Sequence, residues 1–190
     1  MSSSKSSLPF AIRALLDDQL RLEVLEKSAL FGTGIEEAFD QIAASAALLF
    51  KAPVAQVTLM GDKKQWFKSC LGIDLQEAPT ETSFCAHAIA QNDQAKIVLN
   101  AAQDPHFADN PFVVNPPGVR FYAGYPVTVM QQNIGTVCVY DFDVRDEVQQ
   151  EQITALGELA NRTALLIKQR MSIAGSENDT APESDASHGH

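Results

Sequence analysis

Two pairs of short β-type runs, each closed by a tight turn, most constrain what this chain can fold into. Val54 to Met60 and Gln65 to Cys70 flank the turn-like Gly61-Asp62-Lys63-Lys64. Val119 to Met130 and Ile134 to Phe142 flank Gln131-Gln132-Asn133. Strands joined so closely run antiparallel, because parallel neighbours need a crossover of about a dozen residues or more. Helical patterns lie outside both pairs. Leu8 to Ala29 carries a partial stripe of Leu15, Leu16, Leu22 and Leu25. A second helix, ending near Phe50, presents Phe39, Ile42, Ala43, Ala46 and Leu49, and a third spans about Asp146 to Met171. This order predicts an α+β fold: an antiparallel sheet with helices segregated to one face.

Local signals refine the boundaries. Phe31-Gly32-Thr33-Gly34 interrupts the first two helices, and Thr33 with Glu36 has the spacing of a capping box. Leu71 to Glu81 reads as a loop, and Thr82 or Ser83 as the cap of a short helix reaching about Asn92. Ala95 to Leu99 is a short strand. Asn100 to Gly118 is a long connection with four prolines, Pro105, Pro111, Pro116 and Pro117. Loops of that length inside compact domains are uncommon and often functional.

Length and composition fit one domain with loose ends. The 190 residues are 45% hydrophobic, enough for a core. Residues 1–7 and 172–190 are polar and are predicted disordered, leaving a domain over 8–171. The net charge is −10, and the last stretch, after Arg170, holds Glu177, Asp179, Glu183 and Asp185 with no Lys or Arg. Such a balance reads against nucleic-acid binding, which needs clustered Lys and Arg. No apolar run approaches the roughly 18 residues of a membrane helix, and the polar start lacks the apolar core of a secretory leader. Three widely spaced cysteines, Cys70, Cys85 and Cys138, suit a reducing cytoplasm better than a disulfide framework.

The chemistry concentrates between Trp66 and Tyr125. Cys85 near a helix start gains thiolate character from the dipole; the alternative is a small buried residue at a helix–sheet contact. His87 shares a helix face with Phe84, and either touches an anionic ligand or holds the following loop. Arg120 suits a carboxylate or phosphate ligand, or a salt bridge to Asp104 or Asp109. Arg120 and Tyr122 lie on one side of their strand, the side expected to face a pocket. Trp66, Phe84, Cys85, His87, Phe107, Arg120 and Tyr122 are therefore the candidate ligand-binding residues. Cys85-x-His87 supplies too few ligands for a metal, and no catalytic residue or cofactor is assigned.

Six ordered pieces resemble the GAF domain family, in the subtype found ahead of diguanylate cyclases and sensor histidine kinases. They are Glu36-Glu37-Ala38-Phe39-Asp40, Gln65-Trp66-Phe67-Lys68-Ser69, Ser83-Phe84-Cys85-Ala86-His87-Ala88-Ile89, Phe107-Ala108-Asp109-Asn110-Pro111, Arg120-Phe121-Tyr122-Ala123-Gly124 and Gly135-Thr136-Val137-Cys138-Val139. The resemblance spans roughly residues 21–167 and implies about six antiparallel strands with helices behind and a small-molecule pocket in front. It implies a non-catalytic sensory module in signal transduction that dimerises through its terminal helices. The family's cyclic-nucleotide pattern is absent, and Ala86 separates Cys85 from His87 where bilin-carrying members have Cys-His. No cyclase signature or kinase module follows, so the implied output passes to a signalling partner such as a cyclase or kinase. The alternatives are a redox sensor, or a methionine sulfoxide reductase using Cys85, or a scaffold whose pocket is filled by its own aromatics.

Overall fold

A computed structural model of the chain describes residues 8–178. The disorder expected for residues 1–7 and for the tail beyond 178 lies outside the described residues. The order is α1 (Phe10–Leu16), α2 (Gln19–Lys27), α3 (Glu37–Phe50), β1 (Val54–Met60), β2 (Lys64–Leu71), β3 (Glu77–Pro79), α4 (Phe84–Ala88), β4 (Lys96–Val98), α5 (Pro111–Val114), β5 (Phe121–Val129), β6 (Gln132–Asp141) and α6 (Gln150–Asn178). Six strands form one sheet in the order β3-β2-β1-β6-β5-β4, every neighbouring pair antiparallel. No helix among the described residues is long and apolar enough to cross a membrane.

Several expected boundaries move. The first helix is two, because the Asp18 side chain accepts from the Arg21 amide and restarts the helix as an N-cap. Thr33 and Glu36 do not form a capping box. Thr33 donates to the Leu30 carbonyl, and Glu36 pairs instead with Lys68 and Arg170. The β5–β6 turn is Met130-Gln131, both with positive φ (48° and 64°), as a two-residue hairpin of matching twist requires. Part of the expected Leu71–Glu81 loop pairs with β2 as β3. The last helix runs past Met171 to Asn178.

Strand alternation divides the interior into two layers. Behind the sheet, Ala55, Val57, Leu59, Phe121, Ala123, Val137 and Val139 pack on α2, α3 and α6, with Phe50, Leu156 and Ile167 at most 1% exposed. Full burial of such side chains contributes about 1.5–3 kcal/mol each. In front, Met60, Val98, Tyr122 and Cys138 pack on α1, α4 and the connection holding α5. A bulge in β2 lets Ser69 oppose Val57 while Phe67 opposes Thr58. The extra residue, Lys68, points back, and Ser69 follows it to reach Asp40 of α3.

Candidate functional site

The front layer encloses a cavity of about 410 Å³. β1 and β2 supply Val54, Gln56, Gln65 and Phe67, and the β2–β3 link supplies Ile73 and Leu75. The Pro-rich connection forms the opposite wall through Pro111, Phe112, Asn115, Pro116 and Pro117. Phe84, Tyr140 and Phe142 complete it, with Ala78, Thr82 and Val119. None of these residues carries a formal charge. Polar contacts come from Gln56, Gln65, Thr82, Asn115 and Tyr140, few groups in an apolar wall, as ligand sites usually have.

The connection is held by its own turns. Asn110 caps α5 through the Phe112 amide, and its Nδ2 donates to the Thr82 carbonyl at 3.0 Å. Arg120 Nη1 donates to the carbonyls of Val113 and Val119, both at 3.0 Å. Arg120 thus pins the loop through main-chain oxygens; it makes no ion pair with Asp104 or Asp109 among the described residues. Its guanidinium does not line the cavity.

Of the candidate residues, Phe84 alone lines the cavity. Cys85, His87, Phe107 and Tyr122 gather around it in the buried floor. Phe84 stacks on Phe107 with ring centres 4.2 Å apart, and Tyr122 and Tyr140 pack at 5.3 and 5.7 Å. His87 meets Phe107 edge-on at 4.7 Å. Burial first, then His106 and Lys96, push His87 down to about 4 against the pull of Asp104, so it is neutral at pH 7. Trp66 faces the other layer, where it packs against Phe31 and the helical core. Period-two alternation in β2 sends Gln65 and Phe67 to the cavity and therefore Trp66 behind.

Behind Phe84 lies a thiol-centred cluster. One sheet row runs Gly124, Cys138, Gln56 and Cys70 across β5, β6, β1 and β2. A Cβ on Gly124 would overlap the Tyr122 hydroxyl, so glycine lets that ring lie along β5 and reach Cys85. Tyr122 Oη and Thr136 Oγ1 donate to Cys85 Sγ at 3.3 and 3.2 Å. Tyr140 Oη and Cys138 Sγ both lie 3.6 Å from it. Thr58 backs Thr136 at 2.8 Å. Burial pushes the Cys85 thiol up, but the bonds from Cys138, Thr136, Tyr122 and Tyr140 outweigh it and lower it below the ordinary thiol range. Burial, then the contact with Cys85, holds Cys138 well above that range. No cluster of three or more His, Cys, Asp or Glu among the described residues has metal-binding geometry.

Sequence reasoning missed Gln56, Gln65, Tyr140 and Phe142. The signal for Gln65 was the alternation about Phe67; Gln56 and Tyr140 join the site only through strand register.

The GAF domain family model matches residues 29–167, most of the chain. The chain belongs to the GAF family. A cyclic di-GMP phosphodiesterase of Pseudomonas aeruginosa is 33% identical over 145 residues, covering 76% of this chain but 24% of that protein. This GAF domain therefore spans about a quarter of that relative's length. Among solved structures, the blue-light-absorbing form of the Thermosynechococcus elongatus PixJ GAF domain matches with a TM-score of 0.63 at 13% identity, covering 86% of this chain and 96% of that one. A GAF domain from an Acinetobacter phosphoenolpyruvate-protein phosphotransferase gives 0.58 at 12% identity, covering 83% and 99%. A type II free methionine-R-sulfoxide reductase from Thermoplasma acidophilum gives 0.55 at 16% identity, covering 70% and 94%. At such identities these structures share the α+β fold with this chain.

Proposed function

We propose that this GAF domain is a non-catalytic sensor that takes an uncharged, largely apolar small molecule into the front cavity. The observation that carries this reading is the absence of any charged group from the walls of the 410 Å³ space. A phosphate or carboxylate placed there would lose its hydration without a cationic partner, a cost of several kcal/mol or more. An amphipathic molecule would instead place its body against Phe67, Phe84 and Phe142 and its polar atoms against Gln56, Gln65 or Tyr140. Cys85 is fully buried and does not line the cavity, so a molecule as bulky as a methionine sulfoxide held there does not touch its sulfur, which supports a sensor over a sulfoxide reductase.

Output passes to a signalling protein, a cyclic-dinucleotide enzyme or a kinase, through a homodimer built on the helices. Leu48 of α3 is 79% exposed, and Leu165 and Ile173 of α6 are 57% and 63% exposed. A two-fold pairing of these helices would cover all three, and isologous pairs are the commonest oligomers. Sedimentation of Leu48→Glu/Leu165→Glu protein should give a monomer where the wild type gives a dimer.

The ligand is tested by native mass spectrometry of untagged protein purified from its own host. A defined extra mass, lost in Ala78→Trp protein, supports the sensor. Apo protein that also shows no thermal shift with indole or naphthol, and a shift with nucleotides instead, would refute the neutral-ligand reading.

A further inference from the structure

The floor of the cavity holds two sulfurs in contact, Cys85 Sγ and Cys138 Sγ at 3.6 Å, one on a helix and one on a strand. Three hydroxyls, from Tyr122, Thr136 and Tyr140, also lie within 3.2 to 3.6 Å of Cys85 Sγ. Buried polar groups of this number around one sulfur suit an anion, because each hydroxyl satisfies itself by donating to it. A merely space-filling cysteine needs none of them.

We propose that Cys85 and Cys138 are a reversible dithiol, oxidised by hydrogen peroxide that enters through the cavity. The Cys85 thiolate attacks the peroxide O–O bond; sulfur loses two electrons and becomes the sulfenic acid, and the distal oxygen leaves as hydroxide. Cys138 sulfur then attacks Cys85 sulfur, the S–O bond breaks, and the departing oxygen leaves as water with the Cys138 proton. The net change is two thiols and one peroxide to one disulfide and two waters. A cellular dithiol reverses it by exchange.

Geometry favours each step. The path from the cavity is one side chain thick: Tyr140 and Gln56 line the cavity, and they lie 3.6 Å from Cys85 and 3.9 Å from Cys138. The sulfurs must close from 3.6 Å to about 2.05 Å. Cys85 sits on α4, five residues long and joined on both sides to loops, so the approach disturbs no strand. Low thiolate pKa and a neighbouring resolving thiol are the marks of an oxidisable cysteine. Bond formation also removes the anion that the Tyr140 hydroxyl serves, freeing that hydroxyl for the cavity. The dithiol would tune the same space that binds the ligand, but its chemistry does not depend on a ligand being bound.

Full-length, fully reduced apo protein is treated with hydrogen peroxide, quenched with catalase, denatured in acid and alkylated. The proposal expects loss of two of the three alkylatable thiols together, a mass loss of two hydrogens, and a proteolytic peptide joining Cys85 to Cys138. Dithiothreitol should restore all three. Cys138→Ser protein should instead retain added oxygen on Cys85. Three thiols surviving peroxide, or oxidation confined to half-exposed Cys70, would overturn it, whatever the cavity binds.

Discussion

The main-chain oxygen of Met60 accepts a hydrogen bond from the guanidinium of Arg21 at 2.5 Å, across 39 positions of sequence. Arg21 is completely buried and also donates to the carbonyls of Leu15, Leu16 and Gly61. Its charge costs desolvation, which lowers its pKa to about 10 and still leaves it cationic at pH 7. The fork of five donors ties α1, α2 and the β1–β2 turn together where the interior offers little other polar contact. Hydrogen bonds to charged groups are worth about 1.5–3 kcal/mol. Arg21→Leu should lose about 3 kcal/mol or more in urea unfolding, and Arg21→Lys should recover less than half, since an ammonium cannot span four carbonyls.

Lys68 and Glu36 make an unequal pair. The Lys68 side chain is 0% exposed and that of Glu36 is 38% exposed. Glu36 also holds Arg170 of α6 at 2.5 Å, while Lys68 donates to Thr33 and the Gly34 carbonyl at 2.7 and 2.6 Å. Removing the anion strands a buried cation; removing the cation leaves a half-exposed anion that keeps Arg170. Glu36→Gln should therefore cost about 3 kcal/mol and Lys68→Met about 1. The double variant should lie near Lys68→Met in a chemical-denaturation cycle, and an additive result would refute the asymmetry.

Gly124 is set by packing. Alanine there meets the Tyr122 hydroxyl and ring, whereas alanine at Gly34 meets nothing within 4 Å. Gly124→Ala should lose about 1–3 kcal/mol by overpacking, and Gly34→Ala should stay within about 0.5. Displacing Tyr122 should also speed native-state alkylation of Cys85, which counts as a separate readout of the same shift.

His87 couples the cavity floor to pH. Its folded pKa of about 4 lies below the ordinary 6.5 because burial, His106 and Lys96 disfavour the cation more than Asp104 favours it. The unfolded chain then binds more protons between those values, so stability is full above pH 6.5, falls as pH drops towards 4, and levels below that. The full penalty is on the order of 3 kcal/mol. Unfolding of the wild type and of His87→Leu at pH 7 and pH 4.5 should show a smaller loss in the variant. Glu36, whose carboxyl is lowered despite burial by Lys68 and Arg170, acts in the same direction but in the window below 4.5.

Much of the architecture was legible in the chain. Short β-type runs closed by tight turns marked β1, β2, β5 and β6, and helical spacing marked α3 and α6, because both signals are local to the chain. The four prolines marked the connection that walls the cavity. The misreadings came where a side chain had a distant partner. Thr33 and Glu36 have the spacing of a capping box, yet buried Lys68 takes both. Trp66 and Phe67 are equally aromatic, and only strand phase sends one behind the sheet and the other to the cavity.

By itself, then, the sequence determined the main helices, the antiparallel pairing within the two hairpins and the family, since these follow from short-range steric and hydrophobic preferences along the chain. Tertiary structure alone decided that Gln56 and Tyr140 face one cavity, that Cys85 meets Cys138 at 3.6 Å, and that Arg21 is buried. Those relations depend on register, on one bulge in β2 and on the close packing of Gly124 under Tyr122. Each is a sum over contacts between residues far apart in sequence, where small local preferences no longer set the outcome.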